Sequence, residues 1–128
     1  MLTENDILRI SRRIVAGYAP LAVGTFGSYA TGAAREKSDL DLFVIAKTGG
    51  DRAARVLAVK RLLFGVLHPL DVFVFTPEEF EEAVYEVLSF VWVIARQARL
   101  YYWADGADEL LPSLRPKAVL GAFSSESL

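Results

Sequence analysis

Apolar and polar residues follow two different periods along this chain, and the period changes several times. Apolar side chains recur every three or four positions in residues 3–16 and 52–64, which predicts two amphipathic helices, the first capped by Thr3. Four short runs rich in β-branched and aromatic residues predict strands, at 21–26, 40–46, 70–75 and 100–103. Helical and extended segments therefore alternate, which favours an α/β or α+β sheet with helices packed against it.

A third long helix is predicted where Thr76 offers an N-cap, Pro77 occupies the first helical position and Glu79 is acidic. This helix is expected to run through residues 78–97. Residues 28–34 have room for one or two helical turns. The length of 128 residues fits one domain, which we place at residues 1–106, followed by a tail of uncertain structure at 107–128.

Composition narrows the functional classes. Lys and Arg number 14 against 16 Asp and Glu, a net charge of −2, so there is no basic excess of the kind that direct nucleic-acid binding needs. The chain has no cysteine and its N-terminus lacks the pattern of a signal peptide, so a reducing cytoplasm is the expected location.

Apolar residues make up 53% of the chain and the mean hydropathy is +0.31, both high for a small domain. The densest stretch, residues 83–95, is too short to span a membrane and contains Glu86 and Ser89. We expect a surface that is covered by another protein or by a second copy of the chain, and no membrane association.

Three aspartates carry the candidate chemistry. Asp39 and Asp41 are two residues apart at the start of a predicted strand, so their side chains project to the same face. Asp71 lies near the start of the next strand and would join them if the two strands are neighbours. Carboxylate oxygens suit Mg²⁺ or Mn²⁺, and two such ions about 4 Å apart are typical of phosphoryl and nucleotidyl transfer. The pair alone is also common on solvated loops.

A Gly-Ser turn, Gly27 and Ser28, precedes these aspartates, between a predicted strand and a helix start. Backbone N–H groups and a hydroxyl in this position suit a phosphate, and glycine allows the backbone to approach a ligand closely. The turn, the aspartate pair and the third carboxylate together indicate a site that binds phosphate and divalent cations.

The stretch GSYATGAAREKSDLDLFVI resembles the signature of the minimal nucleotidyltransferases of the DNA polymerase β superfamily. The resemblance covers residues 5–103 and implies the polymerase β-like fold, a small mixed β-sheet flanked by helices. It implies that Asp39, Asp41 and Asp71 hold two Mg²⁺ ions as catalytic residues, with Asp71 able to act as base. It also implies that Gly27 and Ser28 hold the triphosphate of a nucleotide.

One position departs from the family pattern. Family members commonly carry an arginine where this chain has Thr31, and threonine cannot replace its bidentate phosphate contact. Arg35 matches the family's arginine before the aspartates and, with Lys37, is the candidate to compensate. Catalysis is therefore a weaker implication than the metal site.

The resemblance also implies a biological role. Many short members are paired with a HEPN-domain toxin and act as antitoxin, some by transferring AMP from ATP to a tyrosine of that partner. A rival reading is an antitoxin with little or no activity that neutralises its partner by binding. Modification of a small molecule ranks lowest, because such relatives usually carry an additional domain. Self-association stays open.

Other conspicuous side chains need no chemistry to explain them. His68, the single histidine, precedes Pro69 and is expected at a strand entrance. Phe90 and Trp92 are expected in the core or at an interface, and Tyr101 and Tyr102 on an edge strand.

Overall fold

The computed structural model describes residues 1–114, which form a four-stranded mixed sheet in the order β3-β2-β1-β4. The strands are β1 (Ala22–Phe26), β2 (Leu40–Ile45), β3 (Leu70–Phe75) and β4 (Arg99–Trp103). The helices are α1 (Glu4–Tyr18), α2 (Ser28–Thr31), α3 (Arg52–Leu62), α4 (Pro77–Ala83), α5 (Phe90–Gln97) and α6 (Ala107–Leu110), with a 3₁₀ turn at Pro112–Leu114. The predicted mixed sheet flanked by helices is confirmed.

Strand directions explain how the sheet is mixed. β1 pairs antiparallel with both β2 and β4, whereas β2 and β3 are parallel. A parallel pair needs a crossover, and α3 supplies it. The predicted edge position of the fourth strand is confirmed, because β4 ends the sheet opposite β3.

Two hydrophobic clusters lie on the two faces of the sheet. The first packs α1 and α3 against one face and includes Ile14, Leu42, Val59 and Tyr101. The second packs α4 and α5 against the other face; its fully buried members include Phe43, Phe80, Ile94 and Leu111. Alternate residues of β2 therefore enter different clusters, as the period of a strand requires.

The ends of α1 follow from local chemistry. The Thr3 hydroxyl accepts a hydrogen bond from the Asp6 N–H at 3.1 Å, and the Asp6 carboxylate accepts one from the Thr3 N–H at 2.8 Å. This capping box confirms Thr3 as the N-cap. The helix continues one residue beyond Gly17, to Tyr18, and Leu62 of α3 packs directly over Gly17, where a Cβ would collide.

The single helix predicted over residues 78–97 is wrong, because the structure has two helices, α4 and α5. Leu88 adopts a φ of 66°, which no helix continues through. The Ser89 hydroxyl then caps α5 by accepting from the Trp92 N–H at 3.1 Å, and it donates to the Ala83 carbonyl at 3.0 Å. The serine thus ends one helix and begins the next, as local side-chain hydrogen bonds can.

Part of the predicted tail packs on the domain. Ala107, Leu111 and Leu114 are buried, the last two in the second cluster, and the Glu81 carboxylate accepts from the Ser113 hydroxyl at 2.7 Å. Residues 115–128 of that tail lie outside the described residues, and the boundary at residue 106 stays a prediction. Within residues 1–114, every helix is too short or too polar to cross a membrane.

Candidate active site

Two of the three aspartates lie side by side at one end of the sheet. Asp41 and Asp71 are each the second residue of their strands and are partners in the parallel register of β2 and β3. Asp71 is close enough for its negative charge to act on the Asp41 carboxyl group. Asp41 is half-buried and Asp71 is exposed, so the pair faces solvent from one side only.

The surroundings of Asp41 favour its protonated form. Burial is the largest cause, followed by the negative charge of Asp71 and then by the charge of Asp39; together they raise the pKa of Asp41 from 3.8 to about 6. Phe26 supplies part of the burial, as the register partner of Asp41 on β1. Its ring contacts Phe73 with the centroids 5.5 Å apart.

Asp39 lies immediately before β2 and is exposed. Its charge acts on Asp41, but no group of three acidic or histidine side chains within residues 1–114 is arranged to hold a metal ion. The structure therefore brings together Asp41 and Asp71, with Asp39 beside them and directed into solvent. A site with three carboxylate ligands would require Asp39 to turn towards the pair.

The Gly27 turn lies against the carboxylate of Asp41. Gly27 has φ 71° and ψ −150°, a conformation open essentially to glycine alone. A Cβ at this position would collide with the Asp41 carboxylate. Glycine is therefore required at position 27 for two reasons, the backbone angles of the turn and its close approach to the acidic pair.

The N–H groups of this turn are partly occupied. Gly27 N–H donates to the Gln97 side-chain oxygen at 3.0 Å, and the N–H groups of Ala30 and Thr31 both donate to the Gly27 carbonyl at 3.0 Å. The Gly27 N–H therefore already has a partner within the protein. Ser28 begins α2 and is half-exposed.

The candidate phosphate-binding cations lie in the loop that leads into β2. Arg35 and Lys37 are both exposed, and Thr31 is exposed as well. The Arg35 N–H donates to the Ser38 hydroxyl at 2.8 Å, which shapes the loop. Within the described part of the chain, neither cation forms an ion pair with the aspartates. Both side chains remain available to an anionic ligand.

Sequence reasoning missed two residues that hold the site in place. His68 Nε2 lies 2.8 Å from the carbonyl oxygen of Ser38, and its ring meets Tyr29 edge-on at 5.9 Å. Gln97 holds the Gly27 turn from the end of α5. The His-Pro pair signalled only a strand entrance, and no local pattern marks Gln97, because its partner is 70 residues away in sequence.

Comparison with known proteins places this geometry in context. The sequence profile of the family described as "Nucleotidyltransferase domain" matches residues 7–120. No curated protein matches the chain.

Solved structures share the fold. A putative nucleotidyltransferase from Sulfolobus solfataricus is 20% identical, with a TM-score of 0.55 over 76% of this chain and 77% of that one. A toxin–antitoxin crystallised with AMP-PNP is 23% identical, with a TM-score of 0.56 over 86% of this chain and 81% of that one. A mutant of the toxin–antitoxin MntA-HpeT is 21% identical, with a TM-score of 0.54 over the same shares, 86% and 81%.

Proposed function

Because the chain belongs to the family of nucleotidyltransferase domains, we propose that it transfers a nucleoside monophosphate, AMP from ATP, to a hydroxyl group. The acceptor is a tyrosine of a HEPN-domain toxin, for which this chain acts as antitoxin. The observation that carries the proposal is the Asp41–Asp71 pair on adjacent parallel strands, with the Gly27 turn against it.

The residues present fit a divalent cation. Two adjacent carboxyl groups with a third carboxylate beside them concentrate negative charge, and the charges of Asp71 and Asp39 add to burial in raising the pKa of Asp41. Asp39, Asp41 and Asp71 would hold Mg²⁺, two ions in the arrangement common to this chemistry. When bound, Mg²⁺ neutralises charge that develops on the phosphates during transfer.

The chain's own groups bind, orient and deprotonate. The Gly27–Ser28 turn positions the triphosphate. The exposed loop residues Arg35 and Lys37 offer positive charge to its phosphates. The Asp71 carboxylate takes the proton of the acceptor hydroxyl. The hydroxyl oxygen then forms a bond to the α-phosphorus, the bond from that phosphorus to the bridging oxygen breaks, and pyrophosphate leaves.

The surface supports a protein acceptor. The connection between α4 and α5 exposes three apolar side chains, Tyr85 at 75%, Val87 at 73% and Leu88 at 76%. Apolar side chains this exposed and this close in sequence indicate an interaction site. The toxin–antitoxin structures that share the fold support the same partner class.

A second candidate is an antitoxin that acts by occlusion alone. Thr31 favours it, because the residue is exposed at the end of α2 and cannot make the bidentate phosphate contact of an arginine. In that case the carboxylates catalyse no transfer, and the exposed apolar surface neutralises the toxin by binding it.

Mass spectrometry of the partner separates the two candidates. The purified chain is incubated with the toxin, ATP and Mg²⁺, and transfer adds whole AMP units to the toxin. Asp41→Asn should abolish the added mass while the toxin still binds. Glu36→Gln serves as the control and should transfer normally, because Glu36 lies in the loop before β2 and outside the predicted site. Full neutralisation by an Asp39→Asn/Asp41→Asn variant without any AMP addition would favour occlusion.

A further inference from the structure

The strand at one end of the sheet has an open edge. β3 pairs with β2 on one side and, within the part of the chain that the structure describes, with no strand on the other. The Ala46 N–H donates to the Phe75 carbonyl at 3.0 Å, so odd-numbered residues of β3 turn their backbone groups towards β2. The N–H and C=O groups of Val72 and Val74 therefore point outward, and such an edge is a template for another strand.

An apolar groove of about 660 Å³ follows this edge. Val56 and Leu57 of α3 form one wall, and Phe73 and Phe90 form part of the other. Leu57 is 50% exposed and Phe90 is 48% exposed, so apolar surface borders the backbone edge from both faces of the sheet. A strand added here would bury its side chains on both of its faces.

The groove carries a cation towards each end. Arg52 lies over the Phe75 ring, with its guanidinium carbon 5.3 Å from the ring centroid, beside the end of β3. Lys60 lines the groove on the same helix, and the separation of eight positions corresponds to about 12 Å along the helix axis. Among described residues, no carboxylate lines the groove. Nearby Glu79 already accepts from Arg55 at 2.7 Å.

We propose that this groove binds an extended acidic segment of a partner protein, which pairs with the outer edge of β3 as a fifth strand. The distance of about 12 Å between the two cations equals about four residues of strand, so two carboxylates four positions apart can reach both. The residue midway between them faces Val56 and Leu57. The two residues on the opposite face contact Phe73 and Phe90.

Charge argues against a second copy as the occupant. If two β3 edges paired about a twofold axis, Arg52 and Lys60 of both copies would line the same shared edge, four cations against the two Asp71 carboxylates of the paired strands. Like charges placed together disfavour that pairing. An acidic strand meets the same two cations with complementary charge.

A labelled peptide tests the proposal with the full-length chain. The probe is a capped peptide with the central order Glu-Val-Val-Phe-Glu, and fluorescence anisotropy measures its affinity. The double variant Arg52→Glu/Lys60→Glu should bind it about tenfold more weakly, since two exposed charge pairs are lost. Arg61→Glu, an exposed site on the same helix outside the groove, is the matched control and should change the affinity by about twofold or less.

Amide hydrogen exchange then tests the strand pairing itself. Bound peptide should slow exchange at Val72 and Val74, whose N–H groups gain partners. Failure of the peptide to bind, equal affinity for the charge-reversed variant, or unchanged exchange at both amides overturns the proposal. Protection that rises with protein concentration alone would assign the edge to a second copy. Protection already complete in the dilute free chain would assign it to the chain's own residues 115–128.

Discussion

Asp41 and Asp71 occupy equivalent positions on neighbouring parallel strands, and burial together with the negative charge of Asp71 raises the pKa of Asp41. Two ionised carboxylates side by side repel each other. Charge repulsion therefore destabilises the folded site, and binding of either a proton or a cation removes that repulsion. The first two predictions depend on that exchange.

The first prediction concerns the pH dependence of stability. The folded pKa of Asp41 is raised from 3.8 to about 6, so the folded state holds more protons than the unfolded state between these values. The free energy of unfolding therefore falls as pH rises from about 4 through 6. Asp41→Asn lacks this loss, so above pH 6 it should be more stable than wild type by about 1 kcal/mol, allowing for partial exposure.

Urea unfolding at pH 3.5 and pH 7.5 measures this difference, which should nearly disappear at the lower pH because Asp41 is then mostly protonated in both the folded and the unfolded state. Asp39→Asn is the control, since Asp39 is exposed, and should gain less. Equal stability of wild type and Asp41→Asn at both pH values would contradict the charge repulsion.

The second prediction concerns Mg²⁺. Binding to the folded state alone at ten times the dissociation constant contributes about 1.4 kcal/mol, which raises Tm by about 4–8 °C for a domain near this size. The increase should shrink at pH 5, where Asp41 holds a proton, and vanish in Asp41→Asn. Differential scanning fluorimetry with MgCl₂ measures it, with KCl of equal ionic strength as the control. A Tm that is the same in both salts would contradict the cation site.

The third prediction compares two glycines. Gly27→Ala brings both a backbone conformation that alanine avoids and a collision with the Asp41 carboxylate, and should cost about 3 kcal/mol of stability. Gly32→Ala is the control, because Gly32 also has a positive φ, 84°, but nothing lies within 4 Å of an added Cβ. It should cost about 1 kcal/mol.

Chemical denaturation measures both costs, and titration with ATP measures the loss of nucleotide binding. Binding should be lost in Gly27→Ala and retained in Gly32→Ala. Equal costs for the two variants would mean that the close approach to Asp41 does not constrain residue 27.

The fourth prediction concerns Gln97. Gln97→Met removes the acceptor of the Gly27 N–H and should cost about 1 kcal/mol, with faster hydrogen exchange at the Gly27 amide. Gln97→Glu retains an acceptor oxygen and should keep that amide protected. If exchange at Gly27 is equally slow in both variants, the side chain does not hold the turn.

Sequence patterning predicted the sheet well because strands of this kind are marked locally. β3 has its predicted bounds, and β1 and β4 differ from theirs by one residue. The Asp41–Asp71 pair could also be anticipated, because each aspartate lies near the start of a predicted strand and the two strands are neighbours. Asp39, expected on the same face as Asp41, lies before β2 and is exposed.

The misses have two physical origins. The helix over residues 78–97 looked continuous because its apolar residues dominate, while its interruption depends on one serine hydroxyl and one positive φ at Leu88. His68 and Gln97 contact groups 30 and 70 residues away, so no local period reveals them. Hydrogen bonds between residues this far apart in sequence form only in the folded chain, so the sequence alone does not reveal them.

The contact between Gln97 and Gly27 joins the acidic end of the sheet to a helix whose first residue, Phe90, borders the groove along β3. α5 is only eight residues long and packs into the core through Val91 and Ile94, so one short helix connects Phe90 with the residue that holds the Gly27 turn. We expect anything that presses on Phe90 to tilt the glycine turn. By thermodynamic reciprocity, a nucleotide seated at that turn would alter the hold on a protein at Phe90 by the same factor.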